Sequence, residues 1–218
     1  MQTTKRIIIL ANSVKHDPGR CIAGREVIGG SVPRIGEWVR PVSTIGEGEL
    51  LHRHMQVTGG GPISVLDIFE VHLVSRGVDP SQPENWIIDE SKPWNRVGRW
   101  PEGSLNLLAE SPPDIWCQQG TKRDRTSAAY VGANPPRQSL YFIELSKAYV
   151  YRNRWNKIRL AFTYAGISYD FGVTDPLMRG RLERQGTDSS ELSSLWVCVS
   201  LAPPYKGDHY KIVARIIG

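Results

Sequence analysis

The chain has 218 residues, a formal net charge of +5 and an isoelectric point near 9.2. It is long enough to bury a core without cross-links, and basic enough to suit an anionic partner without demanding one. Its three cysteines, Cys21, Cys117 and Cys198, lie far apart, which argues against a disulfide framework and excludes a C-x-x-C zinc or redox motif.

Short β-branched and aromatic runs, broken by Gly, Pro, Asn and Asp, set the pattern of an all-β chain. KRIIILA (5–11) reads as a strand buried on both faces. Its apolar stretch is too short for the core of a signal peptide, and no run approaches membrane-spanning length. The expectation is a cytoplasmic protein with reduced thiols and no membrane partner. RCIAGREVI (20–28), GEWVRPVS (36–43), SVLDIFEVHLVSRG (64–77) and ENWIID (84–89) read as four further strands. EGELLHRHM (47–55) sets Leu50, Leu51 and Met55 at short-helix spacing. Residues 90–137 are rich in proline and show no firm period, which implies irregular structure with a short helix and a strand or two. GANPPRQ (132–138) marks a boundary.

The C-terminal part is more regular. SLYFIELSKAYVYR (139–152) and WNKIRLAFTYAG (155–166) read as strands, and Ala165-Gly166 turns tightly into ISYDFGVTD (167–175). A helix follows, with Thr174 or Asp175 as N-cap, Pro176 at its first position and Gly186 as its stop. LWVCVSLA (195–202) and HYKIVARII (209–217) are two more strands, joined by PPYKGD. Strand, strand, strand, helix, strand, strand is the element order of an oligonucleotide/oligosaccharide-binding (OB) barrel. The N-terminal half repeats it more loosely, with 47–55 in the helix slot. The predicted fold class is therefore all-β with minor α: two tandem OB-like five-stranded barrels, with a helix between strands three and four of the second. The expected boundaries are an N-terminal barrel over 1–90, a connecting segment over 91–137 and a C-terminal barrel over 138–218.

The opening KRIIILANSVKHDPGRCIAGREV, followed by GEWVRPVS, resembles the start of bacterial dual OB-containing domain proteins. Those begin with a buried strand, an ANS turn, a G-R-C-I-A-G segment and a tryptophan-bearing strand ending in R-P-[VI]-S. The motif covers residues 5–43 and labels a family better than a function. The resemblance implies a nucleic-acid- or nucleotide-binding module, in a bacterial defence or mobile-element setting. It transfers no reaction onto these residues.

Charge is uneven: residues 1–60 carry a net +3, 61–137 a net −2 and 138–218 a net +4. In the second half, alternation puts Ile158, Leu160, Phe162 and Tyr164 inward, and Trp155, Lys157, Arg159 and Thr163 outward. In the last strand the same rule puts Tyr210, Ile212, Ala214 and Ile216 on one face, and Lys211, Val213 and Arg215 on the other. The loops RNRWN, with Arg152, Arg154 and Trp155, and PPYKGD, with Lys206, are those that flank the binding face of this fold. Cations track phosphates and aromatic rings stack on bases, so this set suits a single-stranded ligand. The plainer reading is that these cations solvate their strands and Trp155 closes the barrel end. In the first half, Lys15, Arg20, Arg25, Trp38 and Arg40 form a second candidate patch, and the small residues Ala23 and Gly24 admit a ligand or another backbone. There too the alternative stands, with Arg25 and Arg40 paired to Glu26, Glu37 or other acids and Trp38 in the core.

Other motifs carry less. Cys21 sits in a strand pattern, where a free cysteine is usually a small buried hydrophobe, and His16 lacks a third catalytic partner. His52 and His54 have no carboxylate or cysteine at ligand spacing, so no metal and no cofactor is expected. GGGP (59–62) is not followed by Lys-Ser/Thr and is no phosphate loop. KRDR (122–125) reads as a solvated basic loop, the usual outcome for such a run, with a phosphate-contacting loop as the alternative. The expectation is a non-enzymatic protein that binds nucleic acid, single strands in preference to duplex. The alternative is a nucleotide or small-ligand sensor, or an adaptor for another protein.

Overall fold

A computed structural model describes residues 2–14, 18–29, 33–116 and 123–218. The expectations for Lys15, His16, Cys117 and Lys122 lie outside the described residues. The chain divides into two compact units, the first spanning Met1–Asp79 and Pro83–Leu108, the second Pro80–Gln82 and Ala109–Gly218. The segment 91–137, expected to connect two barrels, is thus shared between them.

In the first unit β1 (Thr3–Val14), β2 (Arg20–Ile28) and β3 (Arg34–Val42) form a meander. A short 3-10 turn (His52–Met55) fills the helix slot before β4 (Asp67–Arg76) and β5 (Asn85–Ile88). β3 pairs with β5 in parallel, β5 with β4, and β4 with β1, so the pairing returns to its start. A sixth strand, β6 (Asn95–Arg99), pairs with Asp67–Glu70 of β4, beside the stretch that β5 takes.

The second unit repeats this plan. After β7 (Arg125–Ser127) and the one-and-a-half-turn helix α1 (Ala128–Ala133) come β8 (Leu140–Arg152), β9 (Ile158–Tyr164) and β10 (Ile167–Val173). α2 (Pro176–Gln185) precedes β11 (Ser189–Tyr205) and β12 (Asp208–Ile217). The ring is β8-β9-β10-β12-β11, closed by β11 on β8, with β10 and β12 parallel. β7 takes the part of β12's edge that β10 leaves, at Asp208–Tyr210. Each unit is an OB-like barrel, and full closure leaves no edge in the five-stranded ring.

The local causes are legible. Ile7, Ile8, Ile9 and Leu10 are all fully buried, so β1 is apolar on both faces. Gly24 answers a close approach between backbones: a Cβ built there would collide with the Ile8 carbonyl. Ala165 and Gly166 both take positive φ, +49° and +75°, as a two-residue hairpin turn requires. α2 begins on Asp175, whose carboxylate accepts from Leu177 N–H at 2.9 Å, and ends on Gly186 at φ +61°.

Two readings of the last hairpin change. PPYKGD is not all loop. β11 runs through Pro203, Pro204 and Tyr205, and only Lys206-Gly207 turns, at φ +51° and +85°. The register slips between Leu201 and Pro204, and such a slip is where prolines without an N–H fit a strand. Lys211 does not face outward; it is 1 % exposed. β12 carries a bulge, since Val213 pairs with Val199 while Arg215 pairs with Cys198, and Ala214 is the extra residue. A bulge reverses the two-residue phase. Before it, His209, Lys211 and Val213 are buried; after it, Ile216 is buried and Arg215 emerges.

Candidate nucleic-acid interface

In the second barrel, strands two and three are β9 and β10, and the hairpins beside them are 153–157 and 206–207. The first hairpin is held by Asn153, whose side-chain oxygen accepts from Trp155 N–H at 3.0 Å and Lys157 N–H at 2.9 Å. Asn156 closes it at φ +59°. This frees the side chains at the tip. Trp155 is 65 % exposed, the Arg154 guanidinium lies 4.1 Å from its ring centroid, and Lys157 is exposed beside them. The second tip has the same composition: Tyr205 is 62 % exposed, with Lys206 Nζ 5.4 Å from its centroid.

Between the tips runs a chain of contacts across the outer face. Tyr149 and Tyr151, two apart on β8, stack with centroids 6.0 Å apart, and Tyr149 is about half exposed. Tyr151 donates its hydroxyl to Asp170 Oδ2 at 2.7 Å, and Arg159 Nε donates to Asp170 Oδ1 at 2.8 Å. Arg159 also approaches Asp124 at 3.5 Å, and Asp124 accepts from Arg125 Nε at 2.9 Å. Arg125 then donates to the Tyr210 hydroxyl at 2.9 Å and covers that ring, which lies 6.5 Å from Tyr205. Arg123, exposed, donates to the Ser168 carbonyl at 3.1 Å.

The charges in this chain are fixed by their neighbours. Burial pushes the Asp124 carboxyl up, but the hydrogen bonds and charge of Arg125, with the charge of Arg159, outweigh it and leave its pKa below the usual value. Burial and the hydrogen bond to Asp170 both raise the Tyr151 phenol, so it stays a neutral donor. Arg159 is raised: burial opposes its charge, but the bond to Asp170 and the Asp170 and Asp124 charges prevail.

The residues expected to bind from their sequence pattern fall into three groups. Arg154, Trp155, Lys157 and Lys206 are exposed at the two tips. Arg152, Arg159 and Arg215 are partly buried in ion pairs, with Asp188 at 3.0 Å, Asp170 at 2.8 Å and Asp175 at 3.2 Å. Lys211 is buried. In the first barrel, Arg25 donates to the Gly36 carbonyl at 2.9 Å and lies 5.7 Å from the Trp38 centroid, but Trp38 is buried. Arg40 is buried against Glu84 at 3.0 Å, and Arg20 is half-buried, its backbone bridged to Leu50. Ala23 on β2 and Trp38 on β3 are therefore not presented to solvent. Among the described residues no three His, Cys, Asp or Glu side chains gather as a metal site. No helix among them is long and apolar enough to cross a membrane.

The barrel topology occurs twice in one chain, and the family model for the dual OB-containing domain matches residues 5–216. The chain belongs to the dual OB-containing domain family. Its match extends the resemblance at 5–43 to nearly the whole length. No curated protein matches the chain. Within this dual OB domain, the sequence reading did not bring Tyr149, Tyr151, Asp170, Tyr205 and Tyr210 to this face, and took Arg125 only as part of a basic loop. The signal for two of them was present: in KAYVYR the tyrosines alternate with buried Ala148 and Val150.

Proposed function

We propose that the second barrel of this dual OB domain binds single-stranded nucleic acid, without catalysis, on the face bounded by its two hairpin tips. The observation that carries the reading is the repeated pairing of an exposed ring with a cation, Arg154 on Trp155 and Lys206 on Tyr205. An exposed ring offers a stacking platform that a single strand can use and a duplex, with its bases already stacked, cannot. The adjacent cations take the phosphates. Among the described residues of β2 and β3, Ala23 and Trp38 are buried and offer no exposed ring. A cytoplasmic location and a bacterial defence or mobile-element setting belong to the same proposal.

The test is fluorescence anisotropy with labelled single-stranded DNA, single-stranded RNA and duplex over a salt series. Single strands bind more tightly than duplex. With three phosphates engaged by Arg154, Lys157 and Lys206, log K falls with log salt at a slope of about −2. Absence of binding at low salt, or preference for duplex, contradicts the proposal. A thermal shift with mononucleotides but no oligonucleotide binding favours a nucleotide sensor instead.

A further inference from the structure

Asp170 is an unusual group for a surface that meets phosphates. It lies at the middle of β10, on the outer face of strands two and three, with its side chain 45 % exposed. A free carboxylate there repels the backbone of a nucleic acid. Its position is fixed rather than incidental: Arg159 Nε holds Oδ1 at 2.8 Å and the Tyr151 hydroxyl holds Oδ2 at 2.7 Å. An ionised carboxylate has two acceptor positions on each oxygen. Arg159 and Tyr151 occupy one on each and leave one on each, and the side chain is half exposed.

We propose, resting on the single-strand reading above, that Asp170 is a specificity-determining residue that reads guanine. Two parallel acceptors match two adjacent donors, as in a bidentate arginine–carboxylate pair. Guanine alone presents adjacent donors on its pairing edge, N1–H and N2–H. Adenine and cytosine present one donor beside an acceptor nitrogen. Thymine and uracil flank their single N–H with two carbonyls, which face the carboxylate as like charges. Single strands expose these edges. Tyr151 supplies the geometry: its ring stacks with Tyr149, and its hydroxyl points at the carboxylate. A base lying on the tyrosine pair therefore turns its edge toward Asp170. The phosphates stay with Arg154, Lys157 and Lys206 at the tips. Arg159 and Tyr151 act as positioning residues.

The experiment uses the whole chain and oligothymidines of about 12 nucleotides, within the site size of such barrels. Each carries one central substitution to guanine, adenine or cytosine, and anisotropy gives the affinity. The guanine strand binds roughly tenfold more tightly than the unsubstituted one, the discrimination typical of a good bidentate contact, and adenine and cytosine gain less. Asp170→Asn replaces one acceptor by a donor and abolishes the guanine gain. The wild-type comparison stands even if the variant melts early in a thermal scan. Equal binding of all strands overturns the guanine reading and leaves single-strand binding intact. No binding of any strand overturns both.

Discussion

At the scale of single residues, partner identity decides what a cation does. Arg154 and Arg159 lie five positions apart with equal charge, yet one sits over an exposed ring and the other in a network of two aspartates and a tyrosine. Trp155→Ala lowers affinity for a single strand by about 1–3 kcal/mol, the worth of one base–aromatic stack. The melting temperature stays within about a degree of wild type, because a surface change away from the core moves stability little. Anisotropy and a thermal scan on the same preparation check both halves. A matching loss of stability shows instead that the ring closes the barrel end. These contrasts were only partly legible in the sequence. Alternation along β9 assigned Arg159 to the outer face correctly, with Ile158, Leu160 and Phe162 buried opposite. It could not see that Asp170 and Asp124 would meet it, since these come from two other segments, one of them in a stretch without period.

At the scale of elements, local chemistry was read well where it is local. α2 starts and stops where Asp175, Pro176 and Gly186 dictate. Asp175 does more than cap. It is 3 % exposed, and its second oxygen accepts from Ile216 N–H at 3.0 Å while Arg215 pairs with the first. The cap thus ties α2 to β12. Asp175→Ala destabilises the protein by about 3 kcal/mol or more, since it removes a cap worth about 1 kcal/mol and orphans a partly buried arginine. Chemical denaturation measures the loss. A cost near that of a cap alone shows that the tie to β12 carries no weight. By contrast the first part of β12, through Val213, was given the wrong face because one bulge at Ala214 reverses the phase, and nothing in HYKIVARII announces a bulge. Gly24 was the other ambiguous element feature. Its small size serves β1, not a ligand.

At the scale of the whole molecule, the strand order implied both barrels, and both close with the same circular pairing and the same parallel contact between strands three and five. The strand or two expected within 90–137 are β6 and β7, and the sequence could not place them for a physical reason. β6 is exposed at all five positions and β7 has three residues, so neither offers an apolar face to alternate. Part of 91–137 completes one sheet and part the other. The same scale sets the barrels apart in what they expose. The first keeps Trp38 and Arg40 buried, while the second keeps Trp155, Tyr149 and Tyr205 in solvent. The most direct measurement of that division is ultraviolet cross-linking of the whole protein to a labelled single strand, followed by mass spectrometry of the attached peptides. The expected result is cross-links at Trp155, Tyr149 and Tyr205 that fade as salt rises. Cross-links confined to residues of the first barrel contradict it.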